Sequence, residues 1–392
     1  VTKYGVTYFL LVLSCGSLLV WLVLTFFRGA FWQLRTFDID ASGEDPRRDL
    51  PVVTAIVPAR NEVETIARCV ESLVGQDYPG EFQIIVVDDR SEDATGARAA
   101  SAAQSAGAAE RVVIVQATEP QKGWSGKLWA LQQGVGRAAG ISPEYFWFTD
   151  ADIEHAPDTL RRLVARAERE RLDLASLMVL LQAKTVPERL LIPAFLYFFL
   201  MLYPPKWITR AYSKTAGAAG GCILLRTEAL ERTGGMAAIR GELIDDCALA
   251  GAVKRSGGSI WMGLTRKSVS LRTYLRFGEI RDLIARTAFT QLGYSTMALL
   301  GTIVGMLLTY LVPVVLTFHP HALIWRLSLA AWALMTLTYL PTVRFYRLSP
   351  LWAPLLPLAA AFYSYATWLS AVRYWLGRGG QWKGRTQAPA KP

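Results

Sequence analysis

The sequence predicts an α/β protein in which a mostly parallel, Rossmann-like sheet is preceded and followed by membrane-spanning helices. Three observations predict it. β-Branched and aromatic runs alternate with helical stretches from residue 52 to about residue 150, the pattern of strands joined by right-handed crossovers. Long uncharged segments stand at residues 6–27 and again from Met297 onward. A hydrophobic content of 52% with a mean hydropathy of +0.25 is too apolar for a purely soluble domain. At 392 residues the chain has room for two or more domains. Its formal charge of +10 suits contact with anions, either nucleic acid or an anionic leaflet with phosphate-bearing substrates. Cys15, Cys69, Cys222 and Cys247 show no Cys-x-x-Cys pair, which argues against a disulfide framework or a zinc site and fits a reducing compartment. With only His155, His319 and His321 as histidines, a general base is expected to be a carboxylate.

Residues 6–27 carry no charge and, at about 1.5 Å per residue, would cross a hydrocarbon core of about 30 Å. A signal peptide would have a shorter apolar core and a small-residue cleavage site, so an anchor over residues 1–28 is expected. Arg28 and Arg35 place the downstream side in the cytoplasm by the positive-inside rule. Residues 29–51, with Gly43, Pro46 and Pro51, read as a linker. Residues 52–57, 82–87 and 112–115 read as buried strands, and residues 62–75, 93–106 and 127–139 as helices.

The first strand is followed by Pro58-Ala59-Arg60-Asn61-Glu62 rather than a Gly-x-Gly-x-x-Gly turn, which argues against a dehydrogenase. Asp88-Asp89-Arg90-Ser91 after the second strand is placed to accept hydrogen bonds from a ribose or base, or else to cap the next helix. Gly123-Trp124-Ser125-Gly126-Lys127 lacks Walker spacing. Lys127 there is either an anion seat at a helix start or a surface lysine after a turn. The aromatic strand at 145–148 then runs into Thr149-Asp150-Ala151-Asp152, two carboxylates where a strand leaves the core. Such a pair is either a solvated turn or a seat for a hard cation, Mg²⁺ or Mn²⁺, that keeps positions open for substrate phosphates.

Residues 190–205 are uncharged, aromatic and interrupted by Pro193, too short to span; they read as an interfacial or re-entrant segment near 187–212, or as a buried core helix. Gly217-Ala218-Ala219-Gly220-Gly221-Cys222 permits close backbone approach. Asp245-Asp246 opens an apolar helical run, as a helix cap or as part of a cation or proton site. From Arg266 to Arg286 basic and apolar residues interleave like a helix on an anionic leaflet. A nucleic-acid helix is disfavoured because the stretch runs directly into lipid. Residues 297–318, 327–343 and 348–372 are three further candidate spans. An odd number would leave the tail, with Arg373, Arg378, Lys383 and Arg385, outside and against the positive-inside rule, unless the last segment is a re-entrant hairpin. The expected organisation is an anchor (1–28), linker (29–51), α/β domain (52–265), basic interfacial region (266–295), about three spans (296–377) and a short disordered tail (378–392).

The motifs Pro58-Ala59-Arg60-Asn61-Glu62, Asp88-Asp89-Arg90-Ser91, Gly126-Lys127, Asp150-Ala151-Asp152 with Pro157-Asp158, Gly220-Gly221 and Asp245-Asp246 occur in the order of inverting family-2 glycosyltransferases of the GT-A fold. The resemblance covers about residues 52–295. With Ile-Asp-Asp-Cys-Ala-Leu-Ala and Arg-Thr-Ala-Phe-Thr-Gln-Leu-Gly-Tyr-Ser, the chain resembles the hopene-associated glycosyltransferases most, which are similar to ceramide glucosyltransferases. Two departures stand out. The family's Glu-Asp base pair reads Asp245-Asp246, and the Gln-x-x-Arg-Trp motif of processive synthases reads Gln291-Leu292-Gly293-Tyr294-Ser295, which argues against a polymer-secreting synthase.

The resemblance implies transfer of one sugar from a nucleotide-diphosphate donor, UDP-linked by analogy, to a lipid hydroxyl in the bacterial inner membrane, with the catalytic domain cytoplasmic, a hopanoid as the lipid class and no nucleic-acid partner. It implies Asp150 and Asp152 on a divalent cation, and Pro58, Ala59, Arg60, Glu62, Asp88, Asp89, Lys127 and Asp150 on the nucleotide sugar. Gly220, Gly221, Arg286 and Gln291 would face the acceptor. Asp246 would be the base and Asp245 its helper. Polyprenyl-phosphate or ceramide-type transfer is the alternative within the class, and a non-catalytic membrane scaffold the alternative outside it.

Overall fold

The computed structural model describes residues 3–34, 36–37, 50–377, 381–382 and 385–386. The chain forms two compact units: residues 35–182, 207–272 and 381–392 make a sheet-bearing unit, and residues 1–34, 183–206 and 273–380 a helical one.

The sheet-bearing unit is built on β1 (Val53–Ala59), β2 (Phe82–Asp88), β3 (Val112–Gln116), β4 (Tyr145–Phe148), β5 (Ile153–His155), β6 (Leu174–Leu180), β7 (Ile223–Arg226) and β8 (Ile260–Ser270). They form one eight-stranded sheet in the order β3-β2-β1-β4-β7-β6-β8-β5. β1, β2, β3 and β4 are mutually parallel, as are β6 and β8, while β7 and the edge strand β5 run antiparallel to their neighbours. Burial explains the composition. Every residue of β1 is buried, as a strand covered on both faces requires, which is why the run is β-branched without polar alternation. The helix Gly126–Ala138, capped by the Ser125 side chain accepting from the Leu128 amide, lies so close to β1 that a Cβ on Gly134 would stand 2.5 Å from Ile56 Cγ2. The parallel register puts Asp88 opposite Ala59 and Phe148 opposite Ile56, so the motifs that follow these strands leave the sheet at one end.

In the helical unit, five helices among the described residues are long and apolar enough to cross a membrane: Tyr4–Phe27, Val186–Ile208, Thr296–Leu316, Ala322–Phe345 and Pro350–Trp375. Several polar groups inside the bundle pair with one another, as a low-dielectric setting favours, although the buried Ser17 and Thr342 hydroxyls have no hydrogen-bond partner among the described residues. Trp21 Nε1 donates to the Thr309 carbonyl at 2.7 Å, beside a π-helical turn at Leu307–Leu311. Ser328 and Ser14 hydroxyls meet at 3.1 Å, and Tyr197 and Thr338 hydroxyls at 2.8 Å.

The structure corrects three expectations. Pro193 does not break its helix: Val186–Leu202 is continuous through it, because one missing N–H costs a single hydrogen bond while Leu191, Ile192, Leu196, Tyr197 and Leu200 stay buried. This helix is long enough to cross, contrary to the count from charges, but the chain leaves the sheet-bearing unit after Gln182 and re-enters it at Trp207. Within the helical unit it is held by the Tyr197 hydroxyl on that of Thr338 and by the Tyr363 hydroxyl, which donates to the Leu191 carbonyl at 3.0 Å. The basic stretch from Arg266 is not one amphipathic helix. β8 continues to Ser270, paired with β5 at Ile153, and only Phe277–Ala285 is helical, so the sheet-bearing unit extends to residue 272 rather than 265. Residues 38–49 of the expected linker and most of the tail lie outside the described residues; in the tail, Gln381–Trp382 pairs antiparallel with Arg385–Thr386.

Candidate active site

The residues after β1 and β2 brace each other. The Arg60 guanidinium, 6% exposed, donates to the Asp89 carbonyl at 2.7 Å and the Arg90 carbonyl at 2.8 Å and pairs with Glu92 at 3.2 Å. Asp88 has both carboxylate oxygens engaged, one by the Ser91 amide at 2.9 Å and one by Gln116 Nε2 at 3.1 Å. Asp93 accepts from the Thr95 amide at the start of the next helix. This network gives the loop a fixed shape around the buried Asp89.

The centre of the site lies beyond β4. Lys127, in the first turn of the Gly126–Ala138 helix, places Nζ 2.8 Å from Asp150 Oδ1 and 3.0 Å from Asp245 Oδ2. Burial alone would lower its pKa, but the two carboxylates outweigh that and raise it, so the ammonium stays charged. Asp246 opens the helix Asp245–Arg255 and accepts from the Gly220 amide at 2.9 Å and the Cys247 amide at 2.7 Å. Burial first, and the charge of Asp245 second, push its carboxyl up to about 6 against the pull of Lys127 and the two amides. Pro58, Lys127, Phe148, Thr149, Asp150, Gly220, Asp245 and Asp246 line one pocket together with apolar residues that include Leu131, Ile223 and Leu249. Gly220 is there for room: a Cβ would come within 3.2 Å of Lys127 Nζ and 3.5 Å of Asp246 Oδ2.

Asp152 faces Arg272 and Ser270, at 3.4 Å and 3.3 Å, and Arg272 also pairs with Glu62 at 2.8 Å. Burial and then the neighbouring Asp150 push Asp152 up to about 6, although Arg272 draws it down. Two carboxylates whose charges disfavour one another are hard-oxygen donors that a divalent cation would relieve. Among the described residues no group of three or more His, Cys, Asp or Glu side chains forms a cage. Asp150 and Asp152, here paired with Lys127 and Arg272, are the hard-oxygen side chains that would hold a divalent cation beside a bound diphosphate.

The structure thus brings Pro58, Lys127, Asp150, Gly220, Asp245 and Asp246 into one pocket, with Glu62 and Asp152 joined through Arg272. Gly221 contributes its carbonyl, which accepts from Thr149 Oγ1 at 3.0 Å. Arg286 and Gln291 belong to the helical unit, where Gln291 hydrogen-bonds the Tyr203 hydroxyl. Sequence reasoning assigned Arg272 to the membrane and gave Thr149 and Ser268 no role. Their partners lie across the sheet, and no local spacing marks them.

Residues 54–234 match the family described as Glycosyl transferase family 2. Among relatives, the succinoglycan biosynthesis protein ExoO of Rhizobium meliloti (strain 1021) is 34% identical over 119 residues, 30% of this chain and 30% of that protein. Dodecaprenyl-phosphate galacturonate synthase of Rhizobium johnstonii is 30% identical over 132 residues, 33% of this chain and 36% of that protein. The matches span about a third of the length of these relatives. The mannosyltransferase PcManGT from Pyrobaculum calidifontis, solved in complex with GDP-Man and Mn²⁺, superposes with a TM-score of 0.56 at 18% identity, over 91% of this chain and 99% of that one. Residues 54–234 are thus similar to glycosyl transferase family 2 domains, and the chain has the GT-A fold.

Proposed function

We propose that this chain is a membrane-bound, inverting glycosyltransferase that moves one sugar from a nucleoside-diphosphate donor, UDP-linked, to a hydroxyl of a membrane lipid. The observation that carries the reading is the convergence of Lys127, Asp150, Asp245 and Asp246 on Gly220. Asp246, buried and pushed up to about 6, is a carboxylate near neutral pH yet basic enough to take a proton. As the acceptor oxygen attacks the anomeric carbon, Asp246 takes the hydroxyl proton, and the bond from that carbon to the diphosphate breaks on the opposite face. Lys127 holds Asp150 and Asp245 in place and supplies positive charge beside the departing diphosphate. A divalent cation bound by Asp150 and Asp152 would offset the charge of that leaving group. Pro58, Ala59, Arg60 and Glu62, with Asp88 and Asp89, form the nucleoside side through the shape of their loop. Gly220 and Gly221 leave space for the acceptor, and Arg286 and Gln291 meet the lipid.

The five apolar helices support a membrane protein, and the basic residues after Phe27 and Phe345 support a cytoplasmic sheet-bearing unit at the bacterial inner membrane. A hopanoid is the acceptor class that the sequence resemblance implies. The dodecaprenyl-phosphate named for one relative favours a polyprenyl phosphate as the second choice. The test is incubation of the protein in nanodiscs with labelled nucleotide sugars and bacterial lipids, with products identified by mass spectrometry. Asp246→Asn should lower kcat by about 10²–10⁴ with donor affinity unchanged. A fully active Asp246→Asn variant would remove the base from this scheme, and failure of every donor with every lipid would remove the transferase reading.

A further inference from the structure

His155 takes no part in the chemistry above, yet it lies on β5, the strand that follows the loop carrying both acids. β4 ends at Phe148 and His155 is the last residue of β5, so the Thr149–His155 contact joins the first residue of the loop bearing Asp150 and Asp152 to the strand that follows it. The imidazole is 3% exposed and lies against the Trp147 indole, with ring centroids 4.6 Å apart. Its Nε2 is 2.8 Å from Thr149 Oγ1 and its Nδ1 2.8 Å from Ser268 Oγ.

The hydrogen bonds fix the tautomer. Thr149 has one hydroxyl proton, and its closest carbonyl is that of Gly221 at 3.0 Å, against 3.5 Å for Asp150. With that proton given to Gly221, Thr149 accepts from His155, so Nε2 carries the hydrogen and Nδ1 accepts from Ser268. Burial lowers the ring's pKa to about 3, so the imidazole is neutral under working conditions and is no acid or base for the reaction. What remains is a directed chain from Ser268 through His155 and Thr149 to the Gly221 carbonyl. The next residue back, Gly220, donates its amide to Asp246 at 2.9 Å. The clearances there are small, since a Cβ on Gly220 would already stand 3.2 Å from Lys127 Nζ.

We propose that His155 is a positioning residue. It ties the start of the loop bearing Asp150 and Asp152 to the strand that follows it and, through Thr149, fixes the Gly220–Gly221 turn that holds Asp246. This rests on the reading of those acids given above. It acts by geometry: a displacement of about 1 Å at a reacting group can cost about 10²-fold in rate.

Three variants of the full chain in nanodiscs test it: His155→Phe, His155→Gln and Ser268→Ala. Phe keeps the bulk and ring contact with Trp147 but cannot donate to Thr149, whereas Gln offers a carboxamide N–H near the place of Nε2. Two readouts are taken: kcat and donor KM for transfer, and the rise in Tm on adding UDP or GDP with Mn²⁺. The expected result for His155→Phe is a kcat lower by about 10–100-fold with donor KM changed by less than about threefold. Its nucleotide–Mn²⁺ shift should fall to about half, with the Tm of the unliganded protein within a few degrees. His155→Gln should recover most of both losses, and Ser268→Ala, which frees the ring to flip its tautomer, should fall between. Equal activity and equal shift in Phe and Gln variants, or losses that merely follow the unliganded Tm, would overturn the proposal. Sugar transfer absent from the unaltered protein with the nucleotide–Mn²⁺ pattern intact would overturn the transferase reading alone.

Discussion

The ammonium of Lys127 stands 3.0 Å from Oδ2 of Asp245. The two residues start different helices, Gly126–Ala138 and Asp245–Arg255, and meet above the end of β4. A lysine near a helix N-terminus adds to the positive end of the dipole there, an unfavourable placement unless acids answer it. Asp245 and Asp150 answer it, and in return one cation offsets part of the negative charge of a pocket that also contains Asp246.

Replacing Lys127 by Met should therefore do more than remove a phosphate contact. Lys127 pulls the Asp246 carboxyl down, so without it that carboxyl, already pushed up to about 6, rises further. The base works only when deprotonated, and the acid limb of the kcat–pH profile should move to higher pH. We expect a loss of about 10²-fold at pH 7, greater at pH 6 and smaller at pH 8.5. A loss that is the same at every pH would mean that Lys127 acts on the diphosphate only.

Asp152 links pH to stability. Its folded pKa, about 6, lies above the ordinary carboxylate value, so the folded protein holds this proton more tightly than the unfolded chain does. The associated stability is present at low pH and is lost as pH rises through about 6. Without divalent cations, Asp152→Asn should raise Tm relative to the natural protein at pH 7.5 and have little effect at pH 4. Adding Mn²⁺ with UDP should reverse the order, because only the carboxylate can use the ion, and chelation should abolish transfer. Full activity in excess EDTA would remove the metal from the scheme.

Arg272 tests the corrected boundary between the units. Its guanidinium meets Glu62 and Asp152, so Arg272→Gln should weaken the nucleotide–Mn²⁺ response and raise donor KM about 3–10-fold. Selective loss of lipid use, with donor handling intact, would restore its assignment to the membrane.

The contrast between Arg272 and Lys127 shows what the sequence could reveal. Strands such as β1 were legible because burial on both faces demands an unbroken β-branched run, and the placement of Lys127, Asp150 and Asp246 was legible because strand ends and helix starts are marked locally. Arg272 was not. Nothing near it shows that β8 continues to Ser270 and delivers the next turn to Glu62, 210 residues away in the chain. The helix through Pro193 was hidden for a related reason: its tolerance of proline depends on burial of its other faces, which tertiary packing alone supplies. The Ser268–His155–Thr149 chain needed both the sheet order and a ring orientation.

The last prediction concerns the segment Pro350–Trp375. Its final turn brings Arg373 to 2.7 Å from Asp282 and stacks Tyr374 on Tyr294 at 4.5 Å, and both partners precede the span that begins at Thr296. These contacts bring the two ends of residues 296–375 together, an arrangement that in a membrane calls for an even number of crossings. At the other end, Trp332 Nε1 donates to the Pro354 carbonyl at 3.2 Å, so the 3₁₀ turn Pro350–Leu355 reaches the middle of the Ala322–Phe345 helix, well short of its start. Pro350–Trp375 is accordingly expected to enter the membrane part-way and return, leaving Thr296–Leu316 and Ala322–Phe345 as the two C-terminal crossings. Arg344, Arg347 and Arg373 then share one face with the residues before Thr296, and the conflict with the positive-inside rule disappears. In a background with Cys15, Cys69, Cys222 and Cys247 replaced, Pro320→Cys should react with an impermeant thiol reagent on intact cells. Arg347→Cys and Gly377→Cys should react only after permeabilisation. Labelling of Gly377→Cys on intact cells alongside Pro320→Cys would show that the last segment crosses, and that the residues after Trp375 lie opposite Arg347.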